Sequence, residues 1–104
     1  LWDRDDRLRN LMLDYMAHHS DICFGDNAPY SGRLKNDCLY RHGTTNGLPH
    51  GLIELRQDEI KDEAGQALWA GHMIEIMRLA EQIEEMAEIR HFGSLTDTHL
   101  RGKI

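Results

Sequence analysis

The stretch that decides the fold is Gly47-Leu48-Pro49-His50-Gly51-Leu52-Ile53-Glu54-Leu55-Arg56-Gln57-Asp58. Gly47-Leu48-Pro49 stops any helix and delivers the chain extended, because a residue before proline is pushed out of the helical region. In an extended run, side chains alternate between two faces. Leu52, Glu54 and Arg56 then share one face, and Ile53 and Leu55 the other. A run that is apolar on both sides of a single carboxylate reads as a buried strand of a parallel sheet. Ligands collect outside the carboxyl ends of such strands, and Glu54 and Arg56 stand close to that end. The expected class is α/β.

N-terminal to this strand, Asp3 caps a helix expected over 3–19, with Asp5 and Asp6 favourable in its first turn. Leu8, Leu11, Met12, Tyr15 and Met16 form its apolar stripe. His18 and His19 point about 100° apart on a helix, a poor chelating pair, so surface or capping roles fit them. Ile22-Cys23-Phe24, ended by Gly25, reads as a second strand. Leu1-Trp2 reads as the last two residues of a strand whose beginning is missing, and the chain as a piece of a longer polypeptide. Residues 25–36 are dense in turn formers. They form either a binding loop at a strand end or a plain β-turn at Ala28-Pro29 with Tyr30 on the surface. Asp37-Cys38-Leu39-Tyr40 suits one helical turn and leads into Arg41-His42-Gly43.

C-terminal to the strand, Gln57 to Lys61 form an acidic turn and a long helix is expected over 62–89. Trp69, Met73, Ile76, Ala80, Ile83 and Ala87 step along its inner face. Glu81, Glu84, Glu85 and Glu88 form a solvated outer face. Residues 1–90 make one domain. Residues 91–104 are a tail, frayed or docked elsewhere.

Composition narrows the function. At 40% hydrophobic and 29% charged, the chain is globular rather than disordered. A net charge of −6 without a basic patch argues against nucleic acid. No apolar run approaches the ~18 residues of a membrane span. Cys23 and Cys38 are expected as free thiols in a cytoplasmic protein.

Three groups of residues carry possible chemistry. A carboxylate in a buried strand, as expected of Glu54, is placed for general acid or base work; the competing reading is a structural Glu54–Arg56 ion pair. Arg41 has the planar fork that holds an anionic substrate, and His42 suits a base, a ligand or a donor to one. His72 and Glu75 lie i, i+3 on one helical face, a zinc-ligand spacing, but two ligands do not make a site.

Three motifs occur in order: Asp26-Asn27-Ala28-Pro29-Tyr30-Ser31-Gly32, Tyr40-Arg41-His42-Gly43, and the stretch from Gly47 to Asp58. Together they resemble the C-terminal part of the N-formylglutamate amidohydrolase family. Asp3-Arg4-Asp5-Asp6-Arg7-Leu8 and Asp62-Glu63-Ala64-Gly65 fit it too, and the similarity covers most of residues 1–90. The resemblance implies a zinc-carboxypeptidase-like (phosphorylase/hydrolase-like) sheet covered by helices. It implies hydrolysis of N-formyl-L-glutamate, or a similar N-acyl amino acid, to formate and glutamate. It makes Glu54 the general base. It gives substrate-binding roles to Arg41, Arg56, Asn27 and Tyr30, with His42 beside them.

The family's zinc ligands, a His-x-x-acid pair and a later His, belong to a region upstream that is absent from these residues. The remainder of the same polypeptide is therefore an expected partner, besides a small-molecule substrate, and the chain alone is expected to be inactive. Cys38 and His50 depart from the family pattern. The alternative is a small α/β interaction module that binds a partner through its two amphipathic helices.

Overall fold

The computed structural model describes residues 1–19, 21–28, 31–33 and 37–96. Two α-helices dominate: α1, Arg7–Ala17, and α2, Glu63–Glu81. A π-helical turn runs Leu39–Thr44, and 3-10 turns cover Gln57–Glu59 and Glu84–Ala87. Among the described residues there is no strand and no sheet, so the α/β expectation, with its zinc-carboxypeptidase-like sheet, is overturned.

The reason lies in the backbone partners of the central stretch. Leu52 exchanges both backbone hydrogen bonds with Leu1, its N–H donating to Leu1 O at 2.8 Å and the Leu1 ammonium donating back at 2.6 Å. That one pair is the beginning of a ladder, and no ladder follows it among the described residues. Leu52, Ile53 and Glu54 are exposed rather than sandwiched. Ile22-Cys23-Phe24 is likewise irregular, with Cys23 and Phe24 exposed. Alternation over five residues fits an irregular extended segment as well as a strand.

Helix α2 begins where its cap requires. The Asp62 side chain accepts the Gly65 N–H at 2.8 Å, and Glu63 sits in the first turn. It ends at Glu81, eight residues short of the expected 89. The chain turns there because Arg7 claims the backbone beyond. Its Nη1 donates to Glu85 O at 2.8 Å and to Glu88 O at 2.6 Å. In a helix running to 89, the Glu85 carbonyl would instead accept from the N–H of residue 89, whereas Glu88 would lie in the last turn, whose carbonyls have no intrahelical partner.

Helix α1 starts at Arg7, not at Asp3, because the acidic residues before it are engaged elsewhere. Asp5 accepts the Arg7 N–H at 3.1 Å and pairs with its guanidinium at 2.7 Å. Asp3 accepts the Leu95 N–H at 2.9 Å and the Ser94 hydroxyl. Through these bonds the segment up to Thr96 docks onto the start of α1; residues 97–104 of the expected tail lie outside the described residues.

The core is small. Among the described residues, Tyr15 on α1, Ile76 on α2 and Leu39 on the π turn are its buried apolar side chains. Asp3, Asp5, Arg7, His72 and Ser94 are buried with them. Polar bonds therefore do much of the holding. Gly47 takes φ +67°, which places its carbonyl between Arg7 Nη2, at 3.0 Å, and Arg90 N, at 2.8 Å. A Cβ there would meet Ile89 and the Arg90 backbone.

Candidate functional site

The helices α1 and α2, the segment 21–25 and the segment 52–56 enclose a cavity of about 270 Å³. Its volume far exceeds one water's share of the liquid, ~30 Å³. Helix α1 contributes Met12, Tyr15 and Met16, and α2 contributes Leu68, Trp69, His72, Met73 and Ile76. These are residues of the two stripes whose periodicity is visible in the sequence, plus Leu68 and His72. The extended segment brings Glu54 and Arg56 to the same cavity, with Glu59 just beyond.

Glu54 is exposed on the cavity wall, so the expectation of a dry carboxylate inside a sheet is corrected. Arg56 forks onto Asp58, with Nη2 at 2.6 Å and Nε at 3.1 Å. The ion pair of Arg56 is thus with its own turn rather than with Glu54.

Asn27 is a clamp on the N-terminal segment. Its Oδ1 accepts the Trp2 N–H at 2.7 Å and its Nδ2 donates to Trp2 O at 3.0 Å. It does so at φ +50°, a conformation asparagine tolerates better than most residues. Arg41 and His42 are exposed on the π turn and are not among the cavity's lining residues. The Asn46 amide donates to the backbone carbonyls of both, at 3.3 and 3.1 Å. Tyr30, the remaining expected substrate contact, lies outside the described residues.

The side of the cavity formed by the two helices holds an arrangement that residue spacing did not single out. The Tyr15 hydroxyl and His72 Nδ1 are 2.6 Å apart, with both side chains buried. His19 stacks on Tyr15 with ring centroids 4.2 Å apart, and Trp69 meets His72 edge-on at 5.2 Å. Burial pushes the Tyr15 phenol up, and the nearby charge of Glu75 adds to the shift. His72 Nε2 and Trp69 Nε1 are shut off from solvent and have no hydrogen-bond partner among the described residues. A buried polar atom left unpaired costs about 1–3 kcal/mol. The rings of both residues line the cavity, but the two nitrogens have no surface open to it. The clue in the sequence was a histidine on the inner face of α2, one turn after Trp69.

His72 is therefore tied to Tyr15 rather than teamed with Glu75, which is exposed. Among the described residues no group of three or more His, Cys, Asp or Glu side chains gathers to hold a metal ion. They do not fit a zinc centre of their own. Cys23 and Cys38 are free and exposed. No helix among the described residues is long and apolar enough to cross a membrane.

No family model matches this chain, and neither the curated proteins nor the solved structures contain a match to it.

Proposed function

We propose that the cavity is the substrate pocket of a hydrolase acting on small N-acyl amino acids, with Glu54 as its general base. The observation that carries this reading is the meeting of Glu54 and Arg56 with both apolar stripes around one cavity of about 270 Å³. The resemblance of the Gly47–Asp58 stretch to the N-formylglutamate amidohydrolases supports it. In the proposed reaction, water adds to the acyl carbonyl as Glu54 takes its proton. The C–N bond breaks, and Glu54 returns the proton to the leaving nitrogen. With N-formyl-L-glutamate the products are formate and glutamate.

The zinc implied by the resemblance belongs, in this proposal, to residues outside this chain; when bound, such an ion supplies an activated water. The remainder of the same polypeptide is then the partner of this segment. A partner-binding role as such is the second reading. It is favoured by the exposed apolar side chains of Leu68, Ile74 and Met77 on α2.

The test is turnover of N-formyl amino acids by the intact polypeptide with added zinc. Glu54→Gln is expected to lower kcat about 10²–10⁴-fold, the usual worth of a positioned acid or base, with zinc content unchanged. Near-normal turnover removes Glu54 from the mechanism and leaves the partner-binding reading.

A further inference from the structure

We infer that the cavity takes an amphiphile: an N-acyl amino acid whose acyl group is an apolar chain of several carbons rather than a formyl group, with the chain inside and the charged head at the mouth. This rests on the hydrolase reading for the amino-acid head of the ligand, but not for the chain site.

The first ground is how the lining sorts by burial. The charged side chains that line the cavity, Asp21, Glu54, Arg56 and Glu59, are all exposed. Met12, Met16, Ile22, Leu55, Met73 and Ile76 line it too, and each is half-buried or buried. The Tyr15 hydroxyl in the same wall is spent on His72, so that ring adds apolar surface. The inner wall is therefore mainly apolar and the mouth charged. A carboxylate moved inward loses its hydration and gains no hydrogen bond from those aliphatic and methionine side chains, which is costly. An apolar chain gains by leaving water. Methionine side chains, unbranched and adaptable, suit a flexible chain.

The second ground is size and continuity. An apolar cavity of about 150 Å³ holds benzene. This cavity has about 270 Å³, room on that scale for about ten carbon-sized atoms. An aliphatic amino-acid side chain supplies less than half of that, and a formyl group adds a single carbon. Apolar surface also continues outward, because Phe24, Leu52, Ile53 and Leu68 line the cavity and remain exposed. The carbons next to the head pass these side chains on the way in.

Calorimetry of the 104-residue chain with N-formyl-, N-butanoyl- and N-octanoyl-L-methionine tests this, with octanoate as the control that lacks the amino acid. Affinity is expected to rise about threefold to fourfold for each added methylene, giving the octanoyl compound an advantage of about a hundredfold or more over the formyl one. Met73→Gln, which keeps the length of the side chain and makes it polar, is expected to weaken the octanoyl compound about tenfold and the formyl compound much less. Leu68→Gln, at a side chain 51% exposed, is expected to weaken the octanoyl compound about threefold with the fold intact. Equal affinity for the three compounds overturns the acyl chain. Octanoate bound as tightly as N-octanoyl-L-methionine overturns the amino-acid head. A gain with chain length that survives both substitutions overturns the cavity as its place. Should Met73→Gln fail to fold, Leu68→Gln decides alone. Failure of the hydrolase reading is seen separately, as turnover that survives Glu54→Gln.

Discussion

The guanidinium of Arg7 and the imidazole of His72 are both buried, and only the first has all its partners. Every N–H of Arg7 is used: Nε and Nη2 on Asp5, Nη2 also on Gly47 O, and Nη1 on Glu85 O and Glu88 O. Phe92 lies 5.5 Å from the guanidinium carbon. Asp5 pushes the Arg7 guanidinium further above its ordinary value, outweighing burial. His72 has one satisfied nitrogen and one orphan, beside a second orphan on Trp69. A fully satisfied buried network fixes a shape. A partly satisfied one leaves polar atoms whose partners the described residues do not supply. The first region explains where the elements start and stop; the second forms one side of the cavity.

The contrast breaks first at Arg7. Arg7→Ala is expected to destabilise the chain by about 3–5 kcal/mol, because it strands a buried carboxylate. Urea unfolding followed by circular dichroism measures this. A loss below about 1 kcal/mol, the usual worth of an exposed ion pair, would mean that the hub does not hold the fold.

A smaller effect is expected at the two glycines of α2. A Cβ at Gly65 runs into the Glu59 carbonyl, whereas one at Gly71 meets nothing within 4 Å. Gly65→Ala is expected to cost about 1–3 kcal/mol by crowding. Gly71→Ala is expected to gain about 0.5–1 kcal/mol from helix propensity. The same unfolding experiment reads both, and equal shifts would contradict the described entry into α2.

The smallest effect is expected at Asp26. The hydrogen bond from Arg9 holds this carboxyl below its ordinary value, helped by the Trp2 indole at 2.7 Å. A depressed folded-state value means that the stability it adds is fully present above the unfolded carboxylate value, about 3.9. It is then lost as pH falls through the folded value. Unfolding midpoints from pH 6 down to pH 2 should therefore drop slightly more for the unaltered chain than for Asp26→Asn. Parallel curves would remove the contribution.

How much of this was legible in the sequence differs by region. The start of α2 was legible because Asp62 caps it by local chemistry. Both apolar stripes were legible because helical period survives into packing, as Tyr15 and Ile76 show. The sheet is not legible because Leu52-Ile53-Glu54-Leu55-Arg56 carries strand alternation, while pairing depends on a distant neighbour. Leu1 supplies a single exchange of bonds. The end of α2 was hidden because Arg7, distant in sequence, takes the carbonyls of Glu85 and Glu88. Glu54 was found at the cavity, though exposed. His72 and Trp69 were seen separately, one in a metal spacing and one in a core stripe. Their place in one cavity wall depends on Tyr15, which approaches from the other helix.

The most direct measurement is the pair of tryptophan indole N–H resonances during titration with N-formyl-L-methionine. The Trp2 indole is bonded to Asp26 and serves as an internal reference, whereas Trp69 lines the cavity. A saturable shift at Trp69, with Trp2 unmoved, is the predicted result. A Trp69 signal that stays in place at saturating ligand, or one that moves no more than Trp2, would contradict it.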